Sequence, residues 1–366
     1  MGLCRLSSPI IKRIPKRVLP LFARVWAGLL SEAVHSKEVQ AWWQFLAFPR
    51  LVLLPQARGG KKVGKGKSLT DLIQQRIEVW PTQGERQDML KKAQARSGHG
   101  RQKEAGRVAQ WAQAKRKNAA EKAIVRAIRA GDVSLALRRL LAAPLADKTA
   151  DTLAALKNLH PTGPQPEAIP PSPTPFFTAE TVGPALCSFG PGSAGGLFGY
   201  TAFHLQQCWD AESWSFSGAL LAAVNQLASG EAPPFLKPFL AGGVSIALRK
   251  GVSGVRPLCC GDPLRRLVAK CFCLGGKEEI AEFFDRKNYG VGCKGGVEVV
   301  AHSLRDTLQK HAKSDLGLLK IDFSNAFNRV SRNAFMRATC EEFPGLTNWT
   351  NWCYGEQSPS CRSASR

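Results

Sequence analysis

Between residues 161 and 177 the chain reads PTGPQPEAIPPSPTPFF, with seven prolines, and no other stretch limits the fold so strongly. Proline has no N–H to give to a helix or a ladder and fixes φ near about −65°, so this segment is expected to run as an extended connector. A domain boundary is placed there. Before it lie an N-terminal helical segment (1–56), a basic flexible linker (57–117) and a second helical segment (118–160), and after it a unit covering 178–366. With 366 residues, 44% of them hydrophobic, the chain can fill two or three domains and bury a sizeable core.

Residues 16–55 carry apolar side chains at helical spacing, tryptophans among them, which predicts two packed helices. The first thirty residues have no acid before Glu32 and resemble an organelle transit peptide in composition, although Pro15 and Pro20 would interrupt a long amphipathic helix. A nuclear or cytoplasmic place is expected, with organelle targeting as the alternative. The stretch from ARGGKKVGKGKS to QAKRKNAAEKA is basic, polar and poor in large apolar residues. It reads as a mobile linker, either an arm that orders on a polyanion or a solvated tether. Helical periodicity returns over 118–159, with a break at Gly131–Asp132, where Asp132 is suited to cap VSLALRRLL, and a further short helix in TADTLAALKNLH.

Charge sets the class of partner. Lys and Arg number 51 against 28 Asp and Glu, a net +23 and a pI near 9.9, which suits nucleic acid or an anionic membrane surface. No apolar run reaches the roughly 18 residues of a membrane span, so no transmembrane segment is expected. The eleven cysteines include Cys259 with Cys260 and Cys271 with Cys273 inside apolar sequence, and there is no CxxC. They read as reduced, buried, small hydrophobes; a zinc site is the sharper alternative.

In the second half, PGSAGGLFGYTAFHLQQC (191–208) is a Gly-rich turn entering a helix, and it matches neither established phosphate-loop pattern. GVSIALRKGVSGVRPLCCGDPLRRLVAKCF follows and predicts a β-hairpin with a helix beginning near Asp262. Arg249, Lys250 and Arg256 flank the hairpin turn, and Arg265, Arg266 and Lys270 stand on the helix after it. Such cations suit phosphate, since Arg presents a planar fork and Lys a mobile point charge; a basic edge strand guarded against aggregation is the plainer reading. GVEVVAHSLRDTLQKH (296–311) is an amphipathic helix with Val297, Val300, Ala301, Leu304 and Leu308 on one face. In LLKIDFSNAFNRVSR, Leu318, Leu319 and Ile321 read as a buried strand ending at Asp322. A buried, unpaired carboxylate costs several kcal/mol unless a cation meets it, so Asp322 marks a site, or else it ends the strand and caps a turn.

Taken in order, GSAGG, IALRKGVSGVRPLCCGDPLRRLVAK, YGVGCKGGVEVVAHSLRD and KIDFSNAFNRVSR resemble the fingers and first palm motif of reverse transcriptases of non-LTR retrotransposons. The helical region from KRVLPLFARVWAGLL to LHPTGP is also similar to what precedes the polymerase domain in one branch of these elements. The resemblance implies an α+β chain, helical at first and then the fingers and an incomplete palm of a right-hand polymerase. It implies an RNA template, a DNA primer, deoxynucleoside triphosphates, and two Mg²⁺ or Mn²⁺ ions that activate the primer hydroxyl and steady the transferring phosphoryl group. Asp322 then matches the metal-binding catalytic aspartate, and the backbone carbonyl of Phe323 a ligand of the nucleotide-bearing metal. Phe327 matches the bulky residue that excludes a ribose 2′-hydroxyl, while Arg249, Lys250 and Arg256 match the triphosphate grip. Arg265, Arg266 and Lys270 are taken as nucleic-acid contacts.

The family also needs a downstream pair of aspartates, and only 44 residues follow Asp322, with Glu341–Glu342 as the one acidic pair, in a predicted helix, and no apolar strand in the tail CYGEQSPSCRSASR. The expectation is a reverse transcriptase-like fragment inactive alone. A part completed by another chain and a non-catalytic basic RNA- or DNA-binding protein are the alternatives. The same reasoning predicts that LGLLKIDF lacks covering strands, that 312–366 is the least stable part, and that 118–159 buries its faces locally.

Overall fold

The apolar positions of LPLFARVWAGLLSEAVHS recur once per turn, and in the computed structural model they form helix α1 (Leu19–Ser36), with Pro20 in its first turn, where a missing N–H costs nothing. The structure describes residues 10–55, 68–99 and 120–356, apart from 130, 148, 162, 191, 212–213, 252–253, 286 and 314–315. Phe22, Trp26, Leu30 and Ala33 face inward from α1 and meet Trp42, Phe45 and Phe48 of α2 (Val39–Val52), which gives the expected helix pair. Ile14 and Val18, in the segment that resembles a transit peptide, are buried in the same core.

The linker expected over 57–117 is corrected for its middle part, and its ends at 57–67 and 100–117 lie outside the described residues. Residues 68–99 form α3 (Leu69–Glu78) and α4 (Gln83–His99). Ser68 and Asp71 close a capping box, and the Arg76 guanidinium donates to the carbonyls of Val52 (2.9 Å) and Leu54 (2.6 Å). Ile73, Ile77 and Trp80 are buried, with Trp80 edge-on to Phe48 at 5.0 Å. One apolar side chain per turn is enough when a neighbouring core receives it, and a composition average does not register so thin a stripe.

Residues 120–129 are helical (α5), followed by α6 (Val133–Leu140) and α7 (Ala150–Asn158). Asp132 caps α6 as expected, its side chain accepting from the Leu135 N–H at 2.8 Å. Among their described residues these helices bury only Ala127, Ala136 and Leu156, which corrects the expectation of locally buried faces: Val125, Ile128, Val133, Leu137, Leu140 and Leu141 are all exposed.

The connector has no regular secondary structure, yet it is tied down. Two asparagine amides bond it as a neighbouring strand would. Asn225 Oδ1 accepts from Phe177 N (2.8 Å) while its Nδ2 donates to Phe177 O (2.9 Å), and Asn348 does the same for Ser172 at 3.1 and 2.7 Å. Beyond it come α8 (Ala179–Cys187), α9 (Ala202–Trp209), α10 (Trp214–Ala228), α11 (Lys237–Leu240), strands β1 (Gly243–Lys250) and β2 (Gly254–Gly261), α12 (Pro263–Gly275), α13 (Lys277–Phe284), α14 (Gly296–Lys310), α15 (Ala326–Arg329), α16 (Arg332–Glu342) and α17 (Thr347–Tyr354). The described residues are mostly helical, with one two-stranded antiparallel sheet, compatible with the α+β class.

One core takes in residues from both sides of the connector: α1 and α2, then α8, α9, α10, α12 and α17. Trp26 sits at its centre, stacked on Phe45 (5.4 Å) and against Phe22 (5.5 Å), Phe216 (5.2 Å) and Tyr200 (5.6 Å). Trp349 and Trp352 of α17 reach the same core, and the Trp352 indole donates to the Ala232 carbonyl at 2.9 Å. The C-terminal third is therefore not uniformly weak, and the correction falls on α17. Among the described residues no helix is long and apolar enough to cross a membrane.

Two measurements test this packing. Trp26→Ala is expected to destabilise the chain by about 3–5 kcal/mol in urea unfolding, as large aromatic truncations in cores do. In hydrogen exchange, amides of α1, α10, α12 and α17 should be the slowest, and those of α6 and α14 should exchange well before them; equal protection of α14 and α1 would contradict the burial described here.

Candidate functional site

The hairpin has the expected place and register, with Val244 opposite Cys260, Ile246 opposite Leu258, and Lys250 opposite Gly254. The outer edge of β1 is met by residues 144–146: Ala146 N donates to Ala247 O (2.9 Å) and Arg249 N to Pro144 O (2.8 Å). That stretch of β1 is bonded on both sides, so it is no bare edge. β2 runs directly into Asp262, which caps α12 by accepting from the Leu264 N–H at 3.0 Å, with Pro263 at the first helical position.

Asp262 is 1% exposed, and the Tyr200 hydroxyl donates to its Oδ1 at 2.6 Å. Its Oδ2 has no hydrogen bond among the described residues. The Gly-rich turn closes over this carboxyl: a Cβ on Gly196 would lie 2.8 Å from Asp262 Cα, and one on Gly199, at φ +83°, would run into the Arg50 guanidinium. Arg266 reaches back to the same turn, donating to the Ala194 carbonyl at 3.0 Å. GSAGG and GDPLRRL, far apart in sequence, thus form one unit. Burial raises the Asp262 carboxyl from 3.8 to about 6, against the Tyr200 and Leu264 hydrogen bonds and the Arg266 charge, which lower it. Burial, with the Asp262 charge beside it, also pushes the Tyr200 phenol well above its ordinary range, so it stays a neutral donor. The sequence pattern places a helix start near Asp262 but does not show the bond to Tyr200.

Most of the cations assigned to phosphate or nucleic acid have internal partners. Arg249 pairs with Asp147 at 2.5 Å, in the open. Arg265 donates to the Ala241 carbonyl and, at 2.9 Å, to the Tyr354 hydroxyl, lying over that ring at 5.3 Å. Lys270 bonds Ser188 Oγ at 2.8 Å, and both Lys270 and Arg266 stand 5.0 Å over the Phe189 ring. Lys250 and Arg256 are exposed at the hairpin end, with no side-chain hydrogen bond among the described residues.

Asp322 is not where the sequence pattern put it. Residues 316–323 form no strand, and Leu318, Leu319, Ile321 and Phe323 are exposed, Leu319 by 82%. Asp322 is exposed too, so the burial cost that singled it out is not incurred. It caps nothing: the residue before α15 is Asn325, at φ 57°, with its Nδ2 bonded to the Leu159 carbonyl at 2.7 Å. Phe327, assigned to the sugar gate, is 98% exposed. Among the described residues no group of three His, Cys, Asp or Glu side chains is placed to hold a metal ion. One hydrated carboxylate does not fit the two-metal centre the resemblance implies, and no reaction step attaches to it. Glu341 and Glu342 end α16 as expected, while the tail from 357 lies outside the described residues.

The described cysteines are free. Cys208, Cys271 and Cys353 are buried, and burial pushes the Cys271 and Cys353 thiols up to about 12. Cys259 and Cys273 are exposed instead, since β2 and the outer face of α12 border water.

No family model matches the chain, and no curated protein or solved structure is found to be similar to it.

A pH dependence follows from Asp262. Its carboxyl is raised on folding, so the stability it contributes is complete below about pH 3.8 and is lost as pH rises through about 6, a difference of roughly 3 kcal/mol. Asp262→Asn, which keeps the cap and cannot ionise, should remove that component of the difference between urea midpoints at about pH 4 and pH 7; an unchanged difference would mean that other groups carry it.

Proposed function

We propose that the chain is a reverse transcriptase-like protein that binds RNA or DNA through its phosphates and does not polymerise by itself. The observation that carries this reading is the joining of GSAGG to GDPLRRL through Gly196, Asp262, Ala194 and Arg266, because these are the first two motifs of the resemblance and here they make one body. The excess of 51 basic over 28 acidic residues supports a polyanionic partner. In a working member of that family a template, a primer, deoxynucleoside triphosphates and Mg²⁺ or Mn²⁺ would meet at the aspartate matched by Asp322. The hydrated, solitary Asp322 favours binding without chemistry.

Primer extension on an RNA template with Mg²⁺ or Mn²⁺ should yield no product from the full chain, and a template-directed product lost with Asp322→Ala would overturn the reading. Binding to single-stranded RNA should show weak sequence preference and fall about tenfold or more between about 50 and 200 mM salt, measured by fluorescence anisotropy.

A further inference from the structure

Five cations on the first described stretch, Lys12, Arg13, Lys16, Arg17 and Arg24, are exposed, and none makes a hydrogen bond or ion pair from its side chain among the described residues. No acid precedes Glu32 in the sequence to offset them. Their scaffold is fixed. Ile11 N donates to Leu53 O (3.0 Å), Ile14 N to Gln207 Oε1 (3.0 Å), and Gln207 Nε2 back to Ile14 O (3.1 Å). The His204 ring accepts the Thr201 N–H on Nδ1 (3.0 Å), which leaves Nε2 to donate to Ile11 O at 2.9 Å. Ile14, Val18 and Phe22, between the cations, and Trp26 just after them are all buried in the core.

Like charges close together in sequence on a fixed support, with no ion pair among the described residues, repel one another unless an anion lies among them. The contrast with α12 is direct, because Arg265, Arg266 and Lys270 there are already bonded to carbonyl and hydroxyl oxygens. We infer that the strip Lys12–Arg13–Lys16–Arg17–Arg24 is a phosphate-backbone-binding surface for nucleic acid, separate from the hairpin end. Three of the five are arginines, whose forked guanidinium takes two phosphate oxygens at once. A bilayer is the poorer partner, since an interfacial helix needs apolar side chains on its lipid side and here those side chains fill the core. The inference rests on the nucleic-acid reading above and names the surface that carries it.

The test uses the full chain and the variant K12A/R13A/K16A/R17A, with K250A/R256A as comparison, each checked for fold by circular dichroism and urea midpoint. Single-stranded RNA and, separately, single-stranded DNA are titrated over a salt series, and in parallel the chain is sedimented with phosphatidylcholine vesicles with and without phosphatidylserine. Loss of four phosphate contacts should lower the slope of log affinity against log salt by about 3 and weaken binding at least about tenfold at low salt, more than K250A/R256A does. If the wild-type chain binds RNA and the strip variant binds equally well with the same slope, the inference is wrong while the nucleic-acid reading stands. If the wild-type chain binds no RNA or DNA, both fail, and strip-dependent sedimentation with the anionic vesicles alone would assign the strip to a membrane surface instead.

Discussion

Aromatic packing around Trp26 is the contact on which the others depend. The indole stacks on Phe45 of α2 and leans on Phe216 of α10, and its N–H is satisfied by the Phe45 carbonyl at 3.2 Å. Its edge contact with Tyr200 places that ring in a dry environment, and the hydroxyl then meets the start of α12 at Asp262. A chain of contacts thus runs from the first helix to the hairpin: indole, phenol, carboxyl, helix N-terminus. The same dryness that makes the aromatic contacts favourable raises the Asp262 carboxyl, so the junction is held by hydrogen bonds and strained by desolvation at once.

What could be read from the sequence was local. The hairpin, the cap at Asp132, the start of a helix near Asp262, the helix pair 16–55 and the amphipathic helix 296–310 each follow from residues a few positions apart, through turn chemistry, cap chemistry or periodicity. Helices α3 and α4 were hidden because their apolar side chains are sparse and matter only against a core built by α2. The connector was half legible. Proline dictates its extended backbone, but nothing near it in sequence announces that Asn225 and Asn348 bond it as a strand partner would. At the candidate site, the basic character of α12 was legible and its use was not, since the oxygens that take up Arg265, Arg266 and Lys270 belong to Ala241, Tyr354, Ala194 and Ser188.

Those partners separate two kinds of cation that a charge count treats alike. A guanidinium already bonded to a carbonyl has part of its donor set committed, and moving it to a phosphate would release the turn or helix it anchors. A cation in water has only its hydration to lose, and gains counterion release when it meets a polyanion. By this criterion the basic residues around Asp262 are mortar for the Gly-rich turn. Lys250, Arg256 and the N-terminal cations are among the groups available to a partner.

Helix α14 and the segment at Asp322 show the limit of pattern reading. An apolar stripe at helical spacing specifies a helix, and α14 is one, but Val297 is 80% exposed and Leu304 and Leu308 are also in water. A helix of this length draws most of its stability from a packed face, so α14 lacks the contribution that secures α1. The same holds for Leu318, Leu319 and Ile321, whose apolar run specifies a buried strand only where a sheet receives it. Asp322 follows its neighbours. Neighbours that exclude water are what would make a carboxylate there costly unpaired and strong toward a cation, and without them the charge is hydrated and ordinary. Exposure of the apolar run and exposure of Asp322 therefore have one cause.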